Sequence, residues 1–143
     1  MNALAFAAVV VTGFIACAEF GSYAFVHPVL RQLPTRERIV VEQGLLRTFG
    51  RVMPVGMVLC VVAGVSVGID RGTALAWAAA AAFALAVLST VLVNVPINLA
   101  TGRWDPDDPP AEWQRTRRRW DRFQGVRSWL LLLGFVLTAA ATL

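Results

Sequence analysis

Glu19, Tyr23 and His27 stand four residues apart in the first apolar run of the chain, and Asn94 and Asn98 repeat that spacing at the end of the third. Residues four apart share one face of a helix. A carboxyl and an imidazole on such a face offer a base: His27, whose ordinary pKa lies near 6.5, or a desolvated Glu19 could remove a proton. The two amides, on a helix end kinked by Pro96, are one way to build a polar pocket in lipid. After Asn98 comes a segment dense in Trp and Arg, with Trp104, Asp105, Trp113, Arg117, Trp120 and Arg127. Its indoles supply flat faces for a ring to stack on, and its guanidinium groups supply fixed charge for an anionic oxygen. What these residue types suit is the holding of a flat, lipid-soluble molecule beside ionisable side chains.

The elements that must carry them are membrane helices. The chain has 143 residues, 57% of them hydrophobic, with mean hydropathy +0.63. A spanning helix needs about 20 mostly apolar residues, and the apolar runs predict helices over about 4–26, 36–69, 73–98 and 110–143. The expected fold is therefore all-α: one domain, 1–143, forming an integral membrane four-helix bundle with an amphipathic interfacial helix in the third loop. Ala16-Cys17-Ala18 has the form of a signal cleavage site, but no basic residue precedes the run and it continues through Phe25, so it reads as a mature helix. All 13 basic residues are Arg. They crowd the first and third loops, with Arg71 alone in the second, which predicts both Arg-rich loops in the cytoplasm and both termini outside. The basic balance is thus topology and attraction to anionic lipid, and nucleic acid is not an expected partner. Cys17 and Cys60 read as small packing residues.

A charge at the centre of a bilayer costs about 2.5–3.5 kcal/mol on insertion scales, so Glu19 is expected to be neutral or paired. Pro28 is expected to end or bend its helix at His27, leaving the imidazole at the cytoplasmic rim. Pro96, between the two asparagines, frees the carbonyl of Leu92. Plainer roles stand beside these: Glu19 bonded to a neighbouring helix, Tyr23 in the interfacial belt, a solvated His27, and asparagines that only satisfy backbone or pair across helices. In the third loop, Asp107 or Asp108 is expected to cap a helix whose first turn holds Pro109, Pro110 and Glu112. Trp113, Thr116, Trp120, Phe123 and Arg127 then form a stripe. Arg115, Arg118, Arg119 and Arg122 suit anionic lipid, whereas Arg117 and Arg127 fall beside the stripe and should face the bundle. Thr35 is expected to cap a first-loop helix on which Ile39, Glu42, Leu46, Phe49 and Met53 share a side. Glu42 is aimed inward there, towards an Arg first and a binding site second.

The runs Ala18-Glu19-Phe20, Val26-His27-Pro28-Val29-Leu30, Gly50-Arg51-Val52-Met53-Pro54, Asn94-Val95-Pro96-Ile97-Asn98, Trp104-Asp105-Pro106, Trp113, Arg117, Arg119-Trp120 and Val126-Arg127 resemble the DUF1772, or anthrone oxygenase, family of small four-helix membrane proteins. The resemblance covers nearly the whole chain. It implies a monooxygenase of polyketide biosynthesis that needs no cofactor, only molecular oxygen as co-substrate, and oxidises anthrone-like polycyclic phenols to quinones. On that reading Glu19, His27, Asn94 and Asn98 are the catalytic candidates, and Tyr23, Trp104, Trp113, Arg117, Trp120, Gln124 and Arg127 hold the substrate. Where the family often carries a His, this chain reads Arg122-Phe123-Gln124. A glutamine can orient a substrate but cannot move a proton at neutral pH, which turns the base role towards His27 or Glu19.

The expected partners are the lipid bilayer and a small aromatic lipophilic substrate, with homo-oligomerisation open. Two other classes compete. A small proton-coupled multidrug transporter would also carry one buried Glu in its first helix, and a non-catalytic scaffold could hold soluble enzymes through the basic loop. A metal held by Glu19, His27 and Glu42 is disfavoured by the single His.

Overall fold

The computed structural model describes residues 2–143. Among the described residues four helices are long and apolar enough to cross a membrane: α1 (Ala3–Leu30), α3 (Phe49–Arg71), α4 (Ala74–Thr101) and α5 (Trp113–Thr142), with the shorter α2 (Thr35–Arg47) between the first two. Phe14, Phe25, Ile69 and Leu92 are exposed on the outside of the bundle, as side chains facing lipid must be. The protein is an integral membrane helical bundle.

Its start and turn signals are local. The Asn2 side chain accepts the Ala5 N–H at 2.8 Å and the Thr73 hydroxyl accepts that of Ala76 at 3.3 Å, each meeting a donor the helix leaves free. Gly72 ends α3 at φ +63°, a conformation glycine adopts without penalty, so α3 and α4 form a tight hairpin. Around the bundle α1 packs on α3, α3 on α4, α4 on α5 and α5 on α1. Ile15, Met57, Cys60, Phe83 and Leu131 form the core. Association in lipid depends on close packing of small residues. At Gly64 an added Cβ would lie 3.0 Å from the Ala80 Cα, so α3 and α4 touch there backbone to backbone.

Four of the expected boundaries are corrected. α1 does not stop before His27 but runs to Leu30, and α4 runs to Thr101. Each contains one π-helical turn, Ser22–Val26 and Thr90–Asn94, in which the His27 N–H bonds the Ser22 carbonyl and the Val95 N–H that of Thr90. Ser22 stands six residues before Pro28, and Thr90 six before Pro96. The wider turn makes room for a pyrrolidine ring that a regular turn would drive into the preceding carbonyl. The helix expected over 36–69 is broken at Thr48, which has φ −109° and ψ −83°. The break lets α2 lie against the end of α4, where the Gln43 amide donates to the carbonyls of Thr101 and Trp104 at 3.0 and 2.9 Å. Finally, α5 begins at Trp113 and neither aspartate caps it: Asp107 pairs with Arg36 at 2.7 Å. Nor does Thr35 cap α2, since it is already the first helical residue, behind Pro34.

Replacing Gly64 by Leu is expected to force α3 and α4 apart and cost about 1–3 kcal/mol, read as a lower thermal midpoint in detergent. An unchanged midpoint would show that the backbone contact contributes nothing.

Candidate functional site

At the end of the bundle that carries the first and third loops, Thr90–Thr101 of α4 packs on α5 and α2 rather than on α3. The gap between α3 and α4 is a cavity of about 540 Å³, within the range that holds drug-sized ligands. One wall is apolar, with Leu46, Phe49, Met53 and Met57; the other is polar, with Ser22, His27, Asn98, Arg117, Trp120, Gln124 and Arg127. Pro54, Leu99, Gly102 and Arg103 are lining residues that are also exposed. The cavity therefore opens sideways, at the flank between α3 and α4.

The polar wall is built chiefly by α5. Arg117, Trp120, Gln124, Arg127 and Leu131 recur at alternating intervals of three and four, and all are buried on one face. Trp120 is its centre. The indole N–H donates to Asn98 Oδ1 at 2.6 Å, and the backbone carbonyl accepts from Asn94 Nδ2 at 3.3 Å. The Arg117 guanidinium lies 4.3 Å from the indole centroid and that of Arg127 5.6 Å, while the His27 ring centroid is 4.9 Å away. Each cation near the ring is also held by a carboxylate. Arg127 Nε donates to Glu19 Oε1 at 2.7 Å, and Glu19 is fully buried. Glu42 takes Arg38 Nε at 3.0 Å on one oxygen and Arg117 Nε at 2.8 Å on the other. Asp121 lies 3.5 Å from Arg38, 3.7 Å from Arg31 and 4.0 Å from His27 Nδ1. Three buried or half-buried carboxylates thus face a larger number of arginines, and the wall suits an anionic oxygen.

Several buried polar atoms in or behind that wall have no hydrogen-bond partner: Gln124 Oε1, Ser128 Oγ, Asn94 Oδ1 and Glu19 Oε2. Such atoms are costly unless water or a ligand reaches them. Of these residues Gln124 lines the cavity itself, its amide nitrogen set 3.4 Å from the Ser22 hydroxyl.

Of the residues singled out by sequence, His27, Asn98, Arg117, Trp120, Gln124 and Arg127 meet in this wall. The others do not. Glu19 stands behind Arg127, and Asn94 behind Trp120. Tyr23 packs on Gly125 and edge-on to Phe20. Trp113 is buried with Arg38 over its ring at 5.5 Å, and Trp104 contributes its carbonyl to Gln43. The π turns account for two of these displacements. A turn widened by one residue aligns positions five apart, so Ser22 with His27 and Thr90 with Val95 line the cavity, while Tyr23 and Asn94 rotate off it. His27 is only 4% exposed, not solvated at the rim. Glu42 pairs with an arginine as expected, and it also lines the cavity. Glu19, His27 and Glu42 do not gather into a metal-ligating group among the described residues.

Sequence reasoning missed Asp121, Arg38, Ser22 and Thr90. Asp121 did carry a signal, as the one acid among the arginines between Arg115 and Arg127.

The profile of the anthrone oxygenase family matches residues 43–137 of this chain. The chain belongs to the anthrone oxygenase family. The matched segment contains α3, α4 and the α5 wall with Trp120 at its centre, and it leaves out α1, which brings Glu19 and His27. Neither a curated protein nor a solved structure matches the chain.

Breaking a buried ion pair from one side strands the remaining charge and costs about 3–5 kcal/mol, whereas neutralising both partners costs far less. Arg127→Gln is accordingly expected to destabilise this anthrone oxygenase family member strongly in detergent unfolding, and Glu19→Gln together with Arg127→Gln to recover most of the loss. A double variant no more stable than the single one would contradict the pairing.

Proposed function

We propose that the protein is a membrane-embedded monooxygenase that draws an anthrone-like polycyclic phenol from the bilayer and oxidises it with molecular oxygen, without a cofactor, at the cytoplasmic leaflet. The observation that carries the reading is a cavity with one apolar wall and one wall of indole, imidazole, amide and guanidinium, in a chain of the anthrone oxygenase family. Its opening on the lipid flank suits a substrate dissolved in the membrane. The Arg-rich first and third loops favour the cytoplasmic side for that end, with both termini outside.

In this reading the rings lie between Trp120 and the methionines Met53 and Met57, with their oxygens towards Arg117, Arg127 and Asn98. His27 takes a proton from the benzylic CH₂, and Asp121 positions the imidazole. The carbanion gives electrons to O₂ and forms a C–O bond; the peroxide takes up a proton, and loss of water leaves the ketone. One oxygen atom enters the product and the other leaves as water, so no external reductant is consumed. Gln124, whose carbonyl oxygen is unpartnered, accepts a hydrogen bond from a phenolic hydroxyl. The guanidinium groups lower the barrier by stabilising the anion in a site sheltered from water.

A proton-coupled transporter is less well supported. Such a carboxylate must be free to exchange a proton for a cationic drug, and Glu19 is engaged by Arg127.

Purified protein in detergent or nanodiscs is expected to consume oxygen when given an anthrone and to release the corresponding quinone. His27→Ala should lower kcat at least 100-fold, while Gln124→Leu should act mainly on KM. Undiminished turnover in His27→Ala would refute the base assignment. No oxygen uptake by folded wild-type protein across a panel of anthrones would refute the substrate class.

A further inference from the structure

The opposite side of α5 carries a second recess that the proposed chemistry does not use. It has a volume of about 700 Å³ and is lined by Glu112, Thr116, Ile97, Phe123 and four arginines: Arg115, Arg118, Arg119 and Arg122. Their spacing of three, four and seven places the guanidinium groups on one face of the helix, turned away from Arg117, Trp120 and Gln124. Among the described residues none of the four forms an ion pair, whereas the two buried cations of the cavity wall, Arg117 and Arg127, both do. Like charges are thus held together with Glu112 as the one acid beside them, an arrangement an external anion would relieve.

Depth narrows the kind of anion. α5 has 30 residues and is about 45 Å long at 1.5 Å per residue, against a hydrocarbon core of about 30 Å. Its excess is the charged third beginning at Trp113, so the arginines stand at the level of lipid headgroups. Ile97 and Phe123, which pack with Val93 and Trp120, give the recess an apolar floor on the membrane side. A soluble phosphate would have no use for that floor, whereas a lipid meets guanidinium with its phosphate and apolar side chains with its acyl chains.

We infer that this recess is a specific site for the headgroup of an anionic phospholipid. The site is independent of the oxygenase reading and would stand without it. Protein purified in neutral detergent and titrated with short-chain phosphatidylglycerol is expected to bind it saturably, with a rise in thermal midpoint. Short-chain phosphatidylcholine and inorganic phosphate at equal concentration should leave the midpoint in place. Replacing Arg115, Arg118, Arg119 and Arg122 together by Gln should weaken the binding at least tenfold. The pair Arg118→Gln and Arg119→Gln, expected to weaken it at least threefold, provides the same test should the fourfold variant not fold. Equal stabilisation by phosphatidylcholine or by inorganic phosphate, undiminished binding in the variants, or binding of a polyglutamate peptide in place of the lipid would each overturn the inference.

Discussion

Charge inside a membrane bundle must be matched, and the site in this protein is arranged around that requirement. Glu19 from α1, Glu42 from α2 and Asp121 from α5 each meet at least one arginine at 4.0 Å or less. The pairs tie together helices far apart in sequence, since Glu19 meets Arg127 and Glu42 meets Arg117. Removal of Arg127 would leave the buried Glu19 with neither water nor counter-ion, whereas Glu42 keeps Arg38 if Arg117 is lost. The same pairs fix the two guanidinium groups on the indole of Trp120. Structural necessity and the electrostatics of the cavity are therefore one arrangement: the network that lets charge be buried also leaves an electropositive wall facing an apolar one.

The cavity itself comes from backbone geometry. Small residues bring α3 and α4 into close contact around Gly64 and Ala80, and towards the other end the two helices part as α4 passes through its π turn. Pro28 and Pro96 stand at equal distances after the two π turns, so α1 and α4 accommodate a proline in the same way. In both, the widened turn selects which side chains face the cavity. Asn94 and Asn98 show the effect most directly. They are four apart, yet one holds the Trp120 backbone and the other its indole N–H, so the pair works as a clamp on the aromatic rather than as two equivalent ligands of a substrate.

Much of this could be read in the residues. Long apolar runs and clustered arginines predict the spans, and helical spacing predicts a stripe of Trp113, Thr116, Trp120, Phe123 and Arg127 with Arg117 beside it facing the bundle; Arg117, Trp120 and Arg127 do line the cavity, whereas Thr116 and Phe123 line the opposite recess. The cost of burying Glu19 predicts that it is either neutral or paired, and the structure pairs it. What could not be read is the partner's identity, because Arg127 lies 108 positions away and several arginines were available. The phase of α1 beyond Ser22 was equally hidden, since regular helical periodicity places Tyr23 on the face that Ser22 occupies. The Thr48 break was concealed by continuous amphipathic spacing from Ile39 to Met53, and it is a tertiary bond, Gln43 to the end of α4, that holds α2 aside. Asp121 was overlooked within a run of arginines, although its isolation there marks it as their counter-charge.

A structure of the protein with a bound anthrone, determined in a lipid nanodisc, is the most direct test of the account. The rings are predicted to lie between Trp120 and Met57, with the oxygens of the ligand towards Arg117, Arg127 and Gln124. A ligand seated elsewhere on the bundle, or a cavity closed by α3 moving onto α4 while the Glu19–Arg127 and Glu42–Arg117 pairs persist, would contradict it.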